Sequence, residues 1–276
     1  MIEGIIIAWH VLLGLIVGSF LNVVIYRFNT GKSLGGRSHC LSCGHLLSWR
    51  HLVPVFSYLA LLGKCAFCQA RISPRYFVVE ILTGALFGII AYTVGDVWVR
   101  PLYLLLACFF VLIIVYDVLH TIIPDEFVIA VAVLAVSIGL YDVYVTGDLM
   151  SGALRLLSGG VGFFFFFSLW YMSSGRWIGL GDAKLAVPLG IIVSWPGIVS
   201  TIILSFWIGA VLSVFLLVLQ SLMKRGQKHL RFIPTSLTIK SEIPFAPFLI
   251  LGFLLVHLYH IDVFTLIEKA LSSLYF

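Results

Sequence analysis

Long apolar runs separated by short polar stretches dominate the chain. A bilayer crossing needs about 20 apolar residues as a helix. Candidate spans on that basis fall at 5–26, 77–95, 101–119, 127–145, 156–173, 183–196, 198–222 and 245–261. These eight segments predict an all-α polytopic membrane protein. Seven spans are the alternative, because the sixth segment is short and contains Pro188. The first run is long enough to cross, and Met1–Glu3 has no basic leader region, so a retained helix is expected and not a cleaved signal. Beyond 261, apolar and polar residues alternate at roughly helical spacing, which predicts an interfacial helix. The five-Phe run 163–167 reads as lipid-facing bulk, and no internal repeat is evident.

Composition agrees with this pattern. The chain is 61% hydrophobic and 11% charged, with a mean hydropathy of +1.13. Soluble domains carry about 25% charged residues, so a soluble globular protein is excluded. The net charge of +5 matters less than its placement. Arg27, Lys32, Arg37, Arg50, Lys64, Arg71 and Arg75 cluster after the first span, with no Asp or Glu among them. Following directly on a span, such a cluster reports topology and not nucleic-acid binding. Placing residues 27–76 in the cytosol fixes the other loops by alternation. Of the 17 Lys and Arg residues, all but Arg100, Arg155 and Lys269 then face the cytosol, provided the sixth segment crosses. Without that crossing, Lys224, Arg225, Lys228 and Arg231 would face outward. Eight spans with both termini outside is therefore the expected topology.

Ionisable groups in spans are costly and point to function. Asp117 follows the apolar run 102–116, and Asp182 opens the sixth segment within Gly179-Leu180-Gly181-Asp182. The third span runs outward to inward, and the sixth starts from the cytosol. Both aspartates therefore share one depth, at the cytosolic edge. Neighbouring carboxyls do not both ionise easily, so such a pair shares a proton. Its ionised member activates a water while the protonated one donates to a substrate carbonyl. The pair titrates as a unit, so the two members receive no separate roles. Gly179 and Gly181 leave room beside Asp182 for an extended peptide backbone. Asp125 and Glu126, after Pro124, suit a helix start. Lys184 tunes the charge of the pair or snorkels to the interface; the sequence leaves both open. Glu80 pairs with a basic residue such as Arg75 or faces the site, and here too both readings stand.

Four of the five cysteines form Cys40-x2-Cys43 and Cys65-x2-Cys68, close to a paired zinc-ligand pattern with a slightly long spacer. A cytosolic loop disfavours disulfides. Four thiolates make a closed tetrahedral structural zinc site, a staple for an insert too small for a large core. His39 and His45 are not needed as ligands, and Cys108 is expected to pack as a small apolar residue.

Together these motifs resemble the prepilin peptidases, or type IV leader peptidases, over nearly the whole chain. The match begins at Gly18-Ser19-Phe20-Leu21-Asn22-Val23-Val24-Ile25-Tyr26-Arg27. It continues through the Arg37-Ser38-His39-Cys40 loop with Ser48-Trp49, Pro54 and the second cysteine pair, and through Asp117 with Pro124-Asp125. It ends with Gly179–Lys184 and Ile243-Pro244-Phe245-Ala246-Pro247-Phe248. The resemblance implies a GxGD-type aspartic endopeptidase of the bacterial cytoplasmic membrane. Such an enzyme cuts the short basic leader from type IV prepilins or pseudopilins of pilus or type II secretion systems. Asp117 and Asp182 take the catalytic positions. Many members also methylate the new N-terminus with S-adenosylmethionine. No glycine-rich nucleotide loop is visible here, and no donor-binding residue is assigned. The chain departs from the family pattern at His51-Leu52-Val53-Pro54, where Asn often precedes the proline, and at Ala246, usually Gly; neither is expected to touch the aspartate pair.

The implied organisation is a first helix (1–26), a cytosolic four-cysteine insert (27–76), a seven-helix catalytic core (77–262) and an interfacial tail (263–276). A presenilin-like protease would also use paired aspartates, but it carries a Pro-Ala-Leu motif absent here and predicts no cysteine insert. A transporter would use Asp117 and Asp182 as a proton relay, yet paired halves with interrupted helices are not seen. No His-Glu-x-x-His is present for a zinc protease.

Overall fold

The computed structural model describes residues 2–31, 33, 35–225 and 244–274. Lys228 and Arg231 of the orienting basic cluster lie outside these residues, as does Ile243 of the last motif. Among the described residues the regular structure is helical apart from two isolated β-bridges. It forms two compact units, Met1–Val115 and Tyr116–Phe276.

The first unit contains α1 (Ile2–Arg27), the short α2 (Phe56–Ala60), α3 (Arg75–Thr93) and most of α4 (Arg100–His120). α1 and α3 approach closely because small residues line the seam. A Cβ on Gly14 would stand 2.8 Å from the Gly84 Cα, and one on Gly18 would stand 2.8 Å from the Glu80 Cα. Gly14 meets Gly84, Gly18 meets Glu80 and Gly88 meets Val11 along the seam, so small residues at spacings of four let these helices pack closely. One turn beyond Gly18, the Asn22 side chain donates to the Tyr76 carbonyl and ties the helix ends together.

The second unit holds the end of α4, then α5 (Asp125–Thr146), α6 (Leu149–Ser173), α7 (Leu180–Val193), α8 (Gly197–Arg225), α9 (Ala246–Tyr259) and α10 (Val263–Leu274). Helix ends follow local chemistry. Pro124 precedes α5, Gly147 closes it with φ +70°, and the Asp148 side chain accepts from the Met150 amide to start α6. The gap left between the expected spans, 146–155, is thereby reduced to Gly147 and Asp148. Apolar residues on both sides favoured continuing each helix.

Among the described residues, six helices (α1, α3, α4, α5, α6 and α8) are long and apolar enough to cross a membrane. α7 and α9 have 14 residues each, or about 21 Å of helix, less than a hydrocarbon core of about 30 Å. The eight apolar segments read from the sequence therefore all form helices, two of them short. The chain is an all-helical multi-pass membrane protein. The five-Phe run is not uniformly lipid-facing: Phe166 is fully buried and rings with Phe206 and Phe245, while Phe164 is exposed.

α7 is the central helix of the second unit. A Cβ on Gly190 would meet the Ser158 carbonyl oxygen at 2.6 Å and the Gly159 Cα at 2.8 Å, both backbone atoms of α6. Backbone cannot swing aside as a flexible side chain can. Gly190→Ala should therefore lower the thermal midpoint of the purified protein by an amount matching at least ~1–3 kcal/mol of overpacking. An unchanged midpoint would show that α6 and α7 do not touch there. At the far end of α7, the Arg155 guanidinium donates to the Ile191 and Ile192 carbonyls and pairs with Asp142 at 2.6 Å. This half-buried cation satisfies carbonyls that the helix terminus leaves open.

Candidate active site

Three helix ends converge in the second unit. Asp117 lies in the last turn of α4, Asp182 is the third residue of α7, and Ala246 is the first of α9. Both carboxyls are buried, Asp117 at 5% and Asp182 at 6% exposure. They are close enough for the charge of Asp117 to act on Asp182. Asp117 Oδ2 accepts a hydrogen bond of 3.1 Å from the Ala246 amide. Asp182 Oδ1 is buried and has no hydrogen-bond partner among the described residues. The α7 and α9 N-termini direct their partial positive charge toward this pair.

Sequence reasoning missed Ala246. Its substitution for the usual Gly was expected to leave the aspartates untouched, yet its amide is the partner of Asp117. A side-chain motif does not reveal a backbone donor. The only available signal was that Pro244 and Pro247 bracket a helix start.

The glycines and the flanking charges also acquire positions. A Cβ on Gly181 would stand 3.0 Å from the Ile123 Cβ. Gly181 thus lets the start of α7 pack against the connection between α4 and α5, which draws Asp182 toward Asp117. A Cβ on Gly179 would sit 3.4 Å from Asp182 Oδ2, an ordinary contact. The Lys184 ammonium pairs with both oxygens of Asp125 at 2.7 and 2.9 Å. Asp125 therefore opens α5, as expected, and also links it to α7. The ion-pair partner of Lys184 is thus Asp125 and not the carboxylate pair.

The comparisons with known proteins fit this arrangement. The Bacterial Peptidase A24 N-terminal domain matches residues 12–94, and the Type IV leader peptidase family matches residues 104–214. A prepilin leader peptidase/N-methyltransferase of Pseudomonas aeruginosa is 32% identical over 237 residues, covering 76% of this chain and 81% of the relative. The chain belongs to the type IV leader peptidase family. Relatives of the same description from Stutzerimonas stutzeri and Neisseria gonorrhoeae are each 32% identical, covering 75% and 70% of this chain and 80% and 75% of the relatives. No solved structure matches.

Like other type IV leader peptidases, the chain is thus a membrane peptidase, and its N-terminal unit carries a second chemical feature. The sulfurs of Cys40, Cys43, Cys65 and Cys68 all lie within 4.8 Å of one another. Four sulfurs around one tetrahedral zinc at about 2.3 Å would stand about 3.8 Å apart. The Cys40–Cys68 separation is 3.8 Å, so the cluster can hold such an ion.

The two CxxC turns repeat one another. Cys40 N–H donates to His45, Gly44 to Cys40 and Leu47 to Ser38; in register, Cys65 donates to Ala70, Gln69 to Cys65 and Ile72 to Gly63. Each turn is closed by one β-bridge, His39 with Leu46 and Lys64 with Arg71. This is a structural repeat that the sequence, matching only at the cysteines, did not show. Gly44 and Gln69 take the same left-handed position.

The four thiols act on one another at this distance. Cys43 and Ser42 amides lower the Cys40 pKa to about 6. At Cys68 the Ala70 amide favours the thiolate, but desolvation and the sulfurs of Cys43, Cys65 and Cys40 push it up to about 11.

Cys108 is buried, as expected of a packing residue. Glu80 does not pair with Arg75; its Oε2 accepts from the Val55 amide at 2.7 Å. Val55 has φ +65° and ψ −53°, and the flanking Phe56 amide donates to the Pro54 carbonyl, a strained γ-turn. Glu80 thus pins the very stretch where the chain departs from the family pattern.

Proposed function

We propose that the chain is an aspartic endopeptidase that removes the short basic leader from type IV prepilins or pseudopilins. It acts at the cytosolic face of the bacterial inner membrane. The observation that carries this reading is the buried meeting of Asp117 and Asp182 at the ends of α4 and α7. One proton is shared by the pair. The ionised carboxylate takes a proton from a water as that water attacks the scissile carbonyl, and the protonated member donates to the carbonyl oxygen. The tetrahedral intermediate then collapses, with the proton passing to the leaving amide nitrogen. The Ala246 amide holds Asp117 in place, and the partnerless Asp182 Oδ1 suits a bond to the water or the shared proton. Gly179 leaves room for the peptide backbone beside Asp182, and the Lys184–Asp125 pair holds the helices that carry the site.

The cytosolic assignment rests on the basic cluster of residues 27–76. α10 suits an interfacial helix: Phe264, Leu266, Ile267 and Leu271 are exposed while Asp262 caps its start. Cys40, Cys43, Cys65 and Cys68 hold a structural zinc. The relatives' description adds an N-methyltransferase activity, and we extend it to this chain. The new N-terminal amine takes a methyl group from S-adenosylmethionine as the carbon–sulfur bond breaks and sulfur keeps the electron pair.

Incubating membranes containing the protein with a prepilin, then sequencing and weighing the product, tests both activities. The expected product begins at the leader junction and is heavier by one methyl group. An uncut prepilin would remove the peptidase reading for that substrate class. A cut but unmethylated product would remove only the methylation.

A further inference from the structure

The short helix α2 belongs to the cysteine insert, yet it lies beside a membrane span. Its start is tied to α3 at 2.7 Å, where the Val55 amide donates to Glu80 in the second turn of that helix. Tyr58 stacks on Phe77 with ring centroids 5.2 Å apart. α3 has 19 residues, or about 28 Å of helix, barely the thickness of a hydrocarbon core of about 30 Å. It has no turn to spare outside the bilayer. The first two turns of α3 therefore stand at the acyl boundary, and α2 stands there with them.

Tyr58 is turned to α3, and the open side of this segment is apolar. Phe56, Leu59 and Leu62, three positions apart, are 64%, 54% and 82% exposed. Val78 and Ile81, in the first turns of α3, are exposed as well. Leu62 also takes φ +52°, a left-handed position after a helix where glycine is usual. The protein gains almost no packing from a large side chain so exposed.

Charge completes the pattern. The Ile72 amide donates to the Gly63 carbonyl and Lys64 bridges to Arg71, which sets two exposed cations next to the Leu62 turn. Residues 27–76 hold seven Lys and Arg residues and no Asp or Glu. An apolar tip backed by cations suits the boundary between acyl chains and anionic headgroups.

We propose that α2 and the Leu62 turn form a wedge that enters the surface of an anionic lipid leaflet. Phe56, Leu59 and Leu62 lie among the acyl chains, and Lys64 and Arg71 meet lipid phosphates. The wedge holds the insert against the bilayer beside α3. Neither the peptidase nor the methylation activity enters this inference.

Photolabelling of the full-length protein in lipid nanodiscs tests it. A phospholipid with a diazirine on its acyl chain labels residues that meet lipid, and a water-soluble diazirine labels those that meet solvent. Peptide mapping by mass spectrometry reads both. Residues 56–62 should take the lipid label and be shielded from the soluble one. Leu59→Asn with Leu62→Asn should cut that lipid label by about 10-fold or more, while the labels on α1 and α3 stay as they were. Both positions are exposed, so folding survives the change. Adding phosphatidylglycerol to phosphatidylcholine nanodiscs should raise the label, by up to about 5-fold for each of the two cations. Lys64→Gln with Arg71→Gln should abolish that rise. Soluble label on residues 56–62 overturns the wedge. So does a peptide that takes neither label, because protein, such as a second copy of the chain, would then cover the face. A lipid label that ignores phosphatidylglycerol overturns the anionic surface as the partner.

Discussion

Asp117→Asn and Asp182→Asn should each reduce prepilin cleavage by at least ~10³–10⁴-fold, with the protein still accumulating in the membrane. Positioned acid–base groups contribute factors of about this size, and groups that act as a unit do not lose their effect additively. The double variant should therefore be no worse than either single one. Asparagine is the informative replacement. Its side-chain oxygen can still accept from the Ala246 amide, which now binds Asp117, so helix packing survives while the shared proton does not. Asp125→Asn is the matched control. Asp125 lies in the same motif region but is 62% exposed and paired with Lys184. Loss of an exposed ion pair costs about 0–1 kcal/mol, so cleavage should fall by less than about 5-fold. Measured initial rates on one prepilin decide the matter. Substantial activity in either Asp117→Asn or Asp182→Asn would remove the two-carboxylate mechanism.

Replacing Cys40 and Cys43 together by serine should empty the metal site and destabilise the N-terminal unit more than any single packing change. Structural zinc in small domains contributes about 10–16 kcal/mol of folding free energy, and residues 35–73 contain only a five-residue α-helix and a three-residue 3₁₀ turn. Elemental analysis of the unaltered protein should give about one zinc per chain, and the variant should give almost none. Cleavage should be less affected, because the carboxylate pair is in the other unit. A metal-free variant that keeps its stability would show that the cysteines do not organise the insert.

Much of this protein is legible in one dimension. Apolar runs in a chain with 11% charged residues leave no soluble alternative, since backbone groups in lipid must be satisfied within helices. The cysteine spacing announced a metal cluster because a tetrahedral site needs two close pairs, whatever the rest of the fold. Asp117 and Asp182 stood out because carboxyls beside long apolar runs are rare, and alternation of the spans put them at one depth. The family motifs, read in order, pointed to the group that the comparisons then showed.

Other features depend on atoms that side-chain letters do not describe. Ala246 matters through its amide, and any residue but proline would display one there. Lys184 and Asp125 pair across two helices, and which of several surface charges a lysine meets is set by how those helices pack. The repeated cysteine turns match in backbone hydrogen bonds, not in sequence. Glycines bring α1 and α3 together, and the same packing leaves Asn22 and Arg75 with buried polar atoms unanswered. Local composition fixes what each segment is and which chemistry it carries. Proximity between distant segments, and the backbone groups it brings to bear, comes only from packing.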